Sequence, residues 1–120
     1  MKENNKIIAE FMGLKLGSPY MWRPGSFSPL IIEHLAYHKS WDWLMQIVEK
    51  IESIKDPYHG RFGVYISSNS CTIQSTNFRP DKPIPNTPHY YDNIVLNTKI
   101  ESVYYSVINF INFYNKQEEE

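Results

Sequence analysis

The sequence has little cysteine, little net charge and no long apolar run. Its single cysteine, Cys71, excludes an intramolecular disulfide and is typical of a reducing compartment. The net charge of -1 provides no overall attraction to nucleic acid or to an anionic membrane. No apolar run approaches the roughly 20 residues that span a bilayer, and residues 1–6 lead into an amphipathic stretch instead of a secretory signal. We therefore expect a soluble, cytoplasmic protein.

Aromatic residues, in contrast, are abundant. The chain of 120 residues contains nine tyrosines, six phenylalanines and three tryptophans. A single domain over residues 1–120 can bury one core, but that core is too small to cover every ring. Some rings are therefore expected at the surface, where aromatic side chains favour binding. The alternative is that the tyrosines are half-buried with their hydroxyl groups in water.

Apolar residues at three- and four-residue spacing predict two helices in the first half of the chain. The first runs from about Asn4 to Met12 and ends at Gly13. The second begins after Ser40, which can cap its first turn, and stops at Asp56-Pro57. The predicted core face of this central helix consists of Trp41, Leu44, Ile47, Val48, Ile51 and Ile54. Trp43 is expected to pack under the irregular segment that precedes the helix.

Residues 14–39 and 76–93 are predicted to be loops, because glycines and prolines interrupt both segments. Residues 14–39 have room for a short strand or a helical turn before Ser40. Between the two loops, apolar and polar residues alternate over 61–66 and 71–75, which predicts a β-hairpin with one buried face. Its predicted buried side chains are Phe62, Val64, Ile66, Cys71 and Ile73.

The final helix is predicted to start at Thr98, which forms a capping-box pattern with Glu101. Its main apolar face consists of Ile100, Val103, Tyr104, Val107, Ile108, Ile111 and Tyr114. Tyr105, Phe110 and Phe113 form a second apolar stripe. That stripe indicates either deep burial or contact with a partner.

No residue cluster predicts catalysis, a metal or a cofactor. His34 and His38 have helical i, i+4 spacing, and His59, His89 or Cys71 would have to complete a metal site, but the glutamate of a metalloprotease motif is missing. Hydrogen-bonded histidines are the favoured interpretation. Cys71 is predicted to be buried and inert. We therefore expect a protein that is not an enzyme.

Basic and aromatic residues are interleaved in the loops and near the hairpin, as in proteins that bind single-stranded nucleic acid. The basic residues are Lys15, Arg23, Lys39, Arg61, Arg79 and Lys82, and the aromatic residues are Tyr20, Trp22, Tyr58, Phe62 and Phe78. The nearly neutral chain argues against strong non-specific binding. Nucleic-acid contact is therefore a secondary hypothesis.

Three blocks of the sequence resemble the phage ABA-sandwich domain, a family of small alpha-beta-alpha proteins encoded by phages and prophages. The blocks are residues 7–13, residues 37–44 running into 48–51, and residues 99–111, with the predicted hairpin between the second and the third. The proline-rich segment 76–93 departs from the family pattern. The resemblance implies a sandwich fold and a bacterial host cell, and it carries no catalytic residues.

We therefore predict an α+β domain in the order helix-loop-helix-hairpin-loop-helix, with a small antiparallel sheet sandwiched by helices. The leading functional hypothesis is a non-catalytic phage accessory protein that acts by binding, such as an anti-CRISPR inhibitor that occludes a host nuclease or its guide RNA. The expected partner contacts are Tyr20, Trp22, Arg23, Arg79, Tyr90 and Tyr91. The alternatives are a nucleotide-binding sponge and a structural or replication accessory that self-associates through Tyr105, Phe110 and Phe113.

Overall fold

The computed structural model of the chain describes residues 2–13, 15–17, 20–22, 30–31, 37–56, 60–75 and 90–119. These residues form an α+β fold, as predicted. The elements in chain order are α1 (Lys2–Phe11), β1 (Lys15–Gly17), β2 (Tyr20–Trp22), β3 (Leu30–Ile31), α2 (Trp41–Ser53), β4 (Phe62–Ser67), β5 (Ser70–Ser75), β6 (Tyr91–Val95) and α3 (Lys99–Glu119).

The first helix begins two residues before its predicted start and ends at Phe11. Gly13 follows it with a φ of 91°, a left-handed conformation that glycine adopts without a steric penalty. The Gly13 amide donates to the carbonyl of Glu10 at 3.0 Å. The apolar spacing predicts one face made of Ile7, Ile8, Phe11 and Met12, and this face is confirmed, since Ile8 is fully buried and the other three are partly buried against the core.

The central helix α2 is capped as predicted, since the Ser40 hydroxyl accepts a hydrogen bond from the amide of Trp43 at 3.4 Å. The helix ends at Ser53, before Asp56. Its buried residues are Leu44, Ile47, Val48 and Ile51. Placing Trp41 in the core was wrong, because its side chain is 39% exposed at the first helical position.

The neighbouring tryptophan, Trp43, packs as expected against the segment before α2. Its ring contacts that of Tyr37 edge-on at a centroid distance of 5.1 Å. Farther along α2, the Lys50 ammonium donates to the Phe11 carbonyl and lies 4.6 Å from the Phe11 ring centroid. This lysine joins α2 to the end of α1 and compensates a carbonyl that the helix leaves unpaired.

The predicted loop over residues 14–39 contains three short strands. They form an antiparallel sheet in the order β1-β2-β3, in which Leu16 pairs with Met21 and Met21 with Leu30. The strands have only two or three residues each. Such lengths are too short for an alternating apolar pattern to show, which is why the sequence indicated only one short strand or turn here.

The second sheet has the order β4-β5-β6 and is antiparallel throughout. The predicted hairpin is confirmed: Ile66 pairs with Cys71 and Val64 with Ile73, and Ser68 and Asn69 form the turn. The predicted loop 76–93 is corrected at its end, because residues 91–93 belong to β6. Pairing with β5 stabilises this strand despite Asp92 and Asn93, which are poor strand formers.

The long helix α3 begins one residue after Thr98. One of the two hydrogen bonds of its predicted capping box is present. The Glu101 amide donates to Thr98 Oγ1 at 3.2 Å. The Glu101 carboxylate, however, accepts from the Thr98 hydroxyl at 2.9 Å, whereas a capping box directs it to the backbone amide. The fully or nearly fully buried residues of the predicted face are Val103, Tyr104, Val107, Ile108 and Ile111.

One hydrophobic core joins α1, α2 and α3 to the inner face of the β4-β5-β6 sheet. That inner face contributes Phe62, Cys71 and Ile73, each at most 2% exposed. The outer face carries Tyr65, Tyr91 and Val95, which are more than half exposed. The α+β class and the order of the helices are therefore confirmed. Helices α2 and α3 pack on the inner face of this sheet, α1 packs on α3, and none of the described helices covers the outer face.

Candidate interaction surface

Strand alternation defines the surface that the helices leave uncovered. Because paired residues lie on the same side of a sheet, the register places three outward positions on each strand. We call this surface the open sheet face. Its residues are Gly63, Tyr65, Ser67, Ser70, Thr72, Gln74, Tyr91, Asn93 and Val95.

The largest exposed side chains of the open sheet face are Tyr65 at 55%, Tyr91 at 52% and Val95 at 57% exposure. Tyr65 lies on the edge strand β4 and Tyr91 on the opposite edge strand β6. With about 4.8 Å between neighbouring strands, their strands are roughly 10 Å apart. Gln74 of the central strand is paired with both Gly63 and Tyr91. The open sheet face thus carries one tyrosine on each edge strand, with the amide side chain of Gln74 on the central strand between them.

Gly63 determines how the Tyr65 ring lies. A Cβ atom at position 63 would be 2.8 Å from the Tyr65 hydroxyl oxygen and 2.9 Å from Cε2 of the ring. The ring therefore extends back along β4 and covers the space that a side chain at position 63 would fill. An aromatic ring that covers a strand glycine in this way protects the backbone and stabilises the sheet.

The polar residues of the open sheet face are uncharged, since none of its positions is Lys, Arg, His, Asp or Glu. The Thr72 hydroxyl donates to Asn93 Oδ1 at 2.8 Å, which joins β5 to β6 across the face. The hydrogen bond also fixes the orientation of the Asn93 amide. The face therefore combines tyrosines with serine, threonine and amide groups that can both donate and accept.

Of the predicted contact residues, the structure places only Tyr91 on this face. Tyr90 is half-buried, with its ring stacked on Phe113 at 4.4 Å and edge-on to Phe110 at 5.6 Å. Burial, with a smaller effect of Asp92, raises the pKa of Tyr90 well above its usual range. The Tyr90 ring therefore packs against the core with only part of its surface exposed, and its contact with a partner stays a prediction.

The other predicted contacts cannot be assigned to the face. Tyr20 and Trp22 lie on β2, but their side chains are outside the described residues, as are Arg23 and Arg79. Tyr65, in contrast, was missed. The signal was in the hairpin alternation, which puts Tyr65 opposite to Phe62, Val64 and Ile66 and hence on the solvent side.

The predicted self-association stripe on α3 is divided by the structure. Phe110 is 0% exposed, so it has no surface with which to contact a second copy in this fold. Tyr105 is partly buried and packs edge-on against Tyr104 at 5.2 Å. Phe113 is partly buried and stacks on Tyr90. Of the two interpretations of this stripe, burial is correct for Phe110.

Two of the residues considered for metal binding or nucleophilic chemistry, His38 and Cys71, pack within the fold. His38 lies in the turn 37–39, outside a helix, and its Nδ1 is 3.0 Å from Asn5 Nδ2. Cys71 is fully buried, and burial raises the pKa of its thiol against a smaller opposing effect of the Ser106 hydroxyl. No three potential metal ligands lie together within the described parts of the chain. His34, His59 and His89 fall outside those parts.

The basic and aromatic set proposed for nucleic acid is only partly described. Lys39 and Arg61 are exposed, but Phe62 is 2% exposed and cannot stack on a base. The side chains of Lys15, Lys82, Tyr58 and Phe78 are outside the described residues. No charged residue of this set belongs to the open sheet face.

Fold and surface together define the class: a small α+β protein with one helix-covered sheet face and one open, uncharged sheet face. No family model, no curated protein and no solved structure matches this chain. Among the helices in the described ranges, none combines the length and apolar character required to cross a membrane.

Proposed function

We propose that this protein is a non-catalytic binding protein that recognises another protein through the open sheet face. The observation that supports this proposal is the pair of half-exposed tyrosines, Tyr65 and Tyr91, on a sheet face without charged residues. Tyrosine is enriched and charge depleted in the centres of protein interfaces. Tyr, Ser and Asn also predominate in antibody binding loops, where rigid rings give contact area and small polar groups adapt to the partner.

The absence of charge on the face favours a protein over a nucleic acid as the partner. Nucleic-acid binding depends on neutralising phosphates with lysine or arginine. Tyr65 and Tyr91 can stack on bases, but none of the nine face residues carries a positive charge that would neutralise a phosphate. Stacking alone gives weak binding to a charged strand.

The size of the face sets a limit on affinity. Three strands about 4.8 Å apart and about six residues long at 3.3 Å per residue cover roughly 280 Å². A stable interface buries about 800 Å² on each partner. The partner is therefore expected to cover neighbouring surface as well, with Tyr65 and Tyr91 near the centre of the contact.

We also propose a biological setting for this binding. The resemblance to phage ABA-sandwich proteins favours a counter-defence role in the cytoplasm of a bacterial host, for instance inhibition of a CRISPR nuclease. Binding to the guide RNA and self-association in a phage accessory role are distinguishable outcomes of the experiment below. Sequestration of a nucleotide predicts instead a melting temperature that rises when the nucleotide is added.

The test is affinity capture from a bacterial lysate with three forms of the tagged protein, each with and without RNase. The forms are the unchanged chain, a Tyr65→Thr/Tyr91→Thr variant and a Trp41→Ala control. Threonine keeps the strand propensity of both positions, and Trp41→Ala removes an exposed aromatic residue from α2 on the helix layer. We expect the double variant to lose at least tenfold in affinity, about 1.4 kcal/mol, whereas Trp41→Ala and RNase change nothing.

Equal capture by the double variant and the unchanged chain would contradict the assignment of the face. Loss of every partner after RNase would favour the guide-RNA alternative. Recovery of the chain alone would favour self-association. Mass spectrometry of the captured proteins then decides whether the partner is a defence nuclease.

A second variant tests the position of the Tyr65 ring without removing it. In Gly63→Ala, the new methyl group must displace the end of the Tyr65 side chain from the sheet. We expect the free energy of unfolding to change by less than about 1 kcal/mol, because alanine also lowers the entropy of the unfolded chain. Affinity for the captured partner is nevertheless expected to fall several-fold. Unchanged affinity would show that the ring position is irrelevant to binding.

A further inference from the structure

A chain of hydrogen bonds connects α1, the turn before α2 and α3. The Tyr104 hydroxyl donates to Asn5 Oδ1 at 2.8 Å, and Asn5 Nδ2 donates to His38 Nδ1 at 3.0 Å. Asn5 is 3% exposed and Tyr104 is 1% exposed, whereas His38 is half-buried. We call these three residues the Tyr104–Asn5–His38 chain. It is unrelated to the open sheet face.

The donor and acceptor directions within the Tyr104–Asn5–His38 chain determine which ring nitrogen of His38 carries the proton. An amide nitrogen only donates, so the Nδ1 atom that faces it must carry a lone pair, and neutral His38 holds its proton on Nε2. Turning the Asn5 amide over would place its NH2 group against the Tyr104 hydroxyl. The hydroxyl proton would then have no acceptor, since Asn5 is its only hydrogen-bond partner in the described part of the chain.

We propose that the Tyr104–Asn5–His38 chain is a proton-sensitive latch, which holds α1 against α3 and the turn before α2 while His38 is neutral and weakens when His38 is protonated. A proton on Nδ1 faces the Asn5 NH2 group, so two donors oppose each other. Rotating the amide relieves this conflict only by leaving the buried Tyr104 proton unpaired. The first arrangement sets two donors against each other and the second leaves the buried Tyr104 hydroxyl proton without its acceptor, so both are costly.

The charges around His38 act in the same direction. Burial lowers the pKa of His38 below its usual 6.5, and the adjacent Lys39 and, to a smaller extent, the positive amino terminus lower it further. On the α3 side, burial raises the pKa of Tyr104 to about 12, so its hydroxyl keeps its proton across the relevant pH range. Asn5, the contact from α1, does not titrate.

The sign of the pH effect follows from these pKa values. When the pH falls below 6.5, the unfolded state binds a proton to His38 before the folded state does. The contribution of the Tyr104–Asn5–His38 chain to the free energy of unfolding is therefore complete above pH 6.5. It decreases with acidification until His38 is also protonated in the folded state. His38→Gln cannot titrate and is expected to have a smaller decrease in melting temperature between about pH 7.5 and about pH 5.5.

The decisive variant is Asn5→Asp, which changes the chemistry of the central group and keeps its shape. A carboxylate accepts both from the Tyr104 hydroxyl and from a protonated His38 Nδ1. The pKa of His38 should then rise above 6.5, and acidification through this range should raise the melting temperature relative to the Asn5→Asp/His38→Gln double variant. The measurements are melting curves at both pH values and an NMR titration of the His38 ring.

Tyr104→Phe provides an independent test if Asn5→Asp does not fold. Without the hydroxyl, the Asn5 amide can turn over and accept from protonated His38, so the pKa of His38 should return toward 6.5. A merely structural hydroxyl would leave that pKa unchanged. The proposal is overturned if His38 of the unchanged protein titrates at or above 6.5, or if Tyr104→Phe leaves the pKa of His38 unchanged or lowers it.

Discussion

Replacing Phe110 with alanine is expected to destabilise the protein by about 3–5 kcal/mol. Phe110 is fully buried, and its ring contacts Phe62 edge-on at 4.8 Å and Tyr90 edge-on at 5.6 Å. The ring centroids of Phe11 and Tyr114 lie 6.5 Å and 6.0 Å from that of Phe110. Truncation leaves a cavity where α1, β4 and α3 meet. Because the total stability of a domain is about 5–15 kcal/mol, this loss is a large fraction of it.

Urea unfolding monitored by circular dichroism measures the effect, and two variants serve as controls. Phe110→Leu keeps most of the volume and should lose far less than Phe110→Ala. Phe113→Ala removes a ring that is only partly buried, so it should also lose less. A loss below about 1 kcal/mol in Phe110→Ala would contradict the packing described above.

The same experiment separates a core role of Phe110 from a role in self-association. If Phe110 stabilised contact with a second copy, the measured loss would depend on protein concentration, because dissociation would be linked to unfolding. A core residue gives the same loss at every concentration. We expect the result to be independent of concentration.

The helix starts were the most predictable parts of the fold. Ser40 and Thr98 each lie directly before an apolar period and accept a hydrogen bond from an amide in the first turn. Such signals are local, so a single sequence contains all the information that they need. The hairpin β4-β5 was predictable for the same reason, since alternation and a two-residue turn lie within one short segment.

Strand β6 and the packing of α3 could not be predicted, because they depend on distant parts of the chain. Strand β6 is determined by pairing with β5, about twenty residues earlier. Helix α3 contacts α1, α2 and all three strands of the larger sheet. It is therefore buried on more than one side, and a search for one apolar stripe misplaces Phe110.

Of the two tyrosines on the open sheet face, Tyr91 was predicted from the sequence and Tyr65 was not. Tyr90 and Tyr91 are adjacent and were treated alike, but in an extended segment neighbouring side chains point to opposite sides of a sheet. Tyr90 therefore reaches the core and Tyr91 the solvent. Recognition of β6 would have separated them, and the same alternation would have added Tyr65.

Two serines on α3 provide the second strong prediction, because the same substitution should have different effects one helical turn apart. Ser102 and Ser106 are both 0% exposed. The Ser102 hydroxyl accepts from the Leu96 amide at 2.9 Å and donates toward the carbonyl of Asn69 in the hairpin turn. Among the residues that the structure describes, the Ser106 hydroxyl has no hydrogen-bond partner, although it lies beside the Cys71 thiol, a weak donor.

Ser102→Ala is therefore expected to lower the free energy of unfolding by about 2 kcal/mol, because the connection between α3, the β4-β5 turn and the end of β6 is lost. Ser106→Ala is expected to be neutral or stabilising, since it removes a buried hydroxyl that gains little from its surroundings. Urea unfolding of the two variants in parallel measures the difference. Equal losses would show that the hydrogen bonds of the Ser102 hydroxyl contribute no more stability than the surroundings of the Ser106 hydroxyl. A larger loss in Ser106→Ala would instead mean that its contact with Cys71 is a strong hydrogen bond.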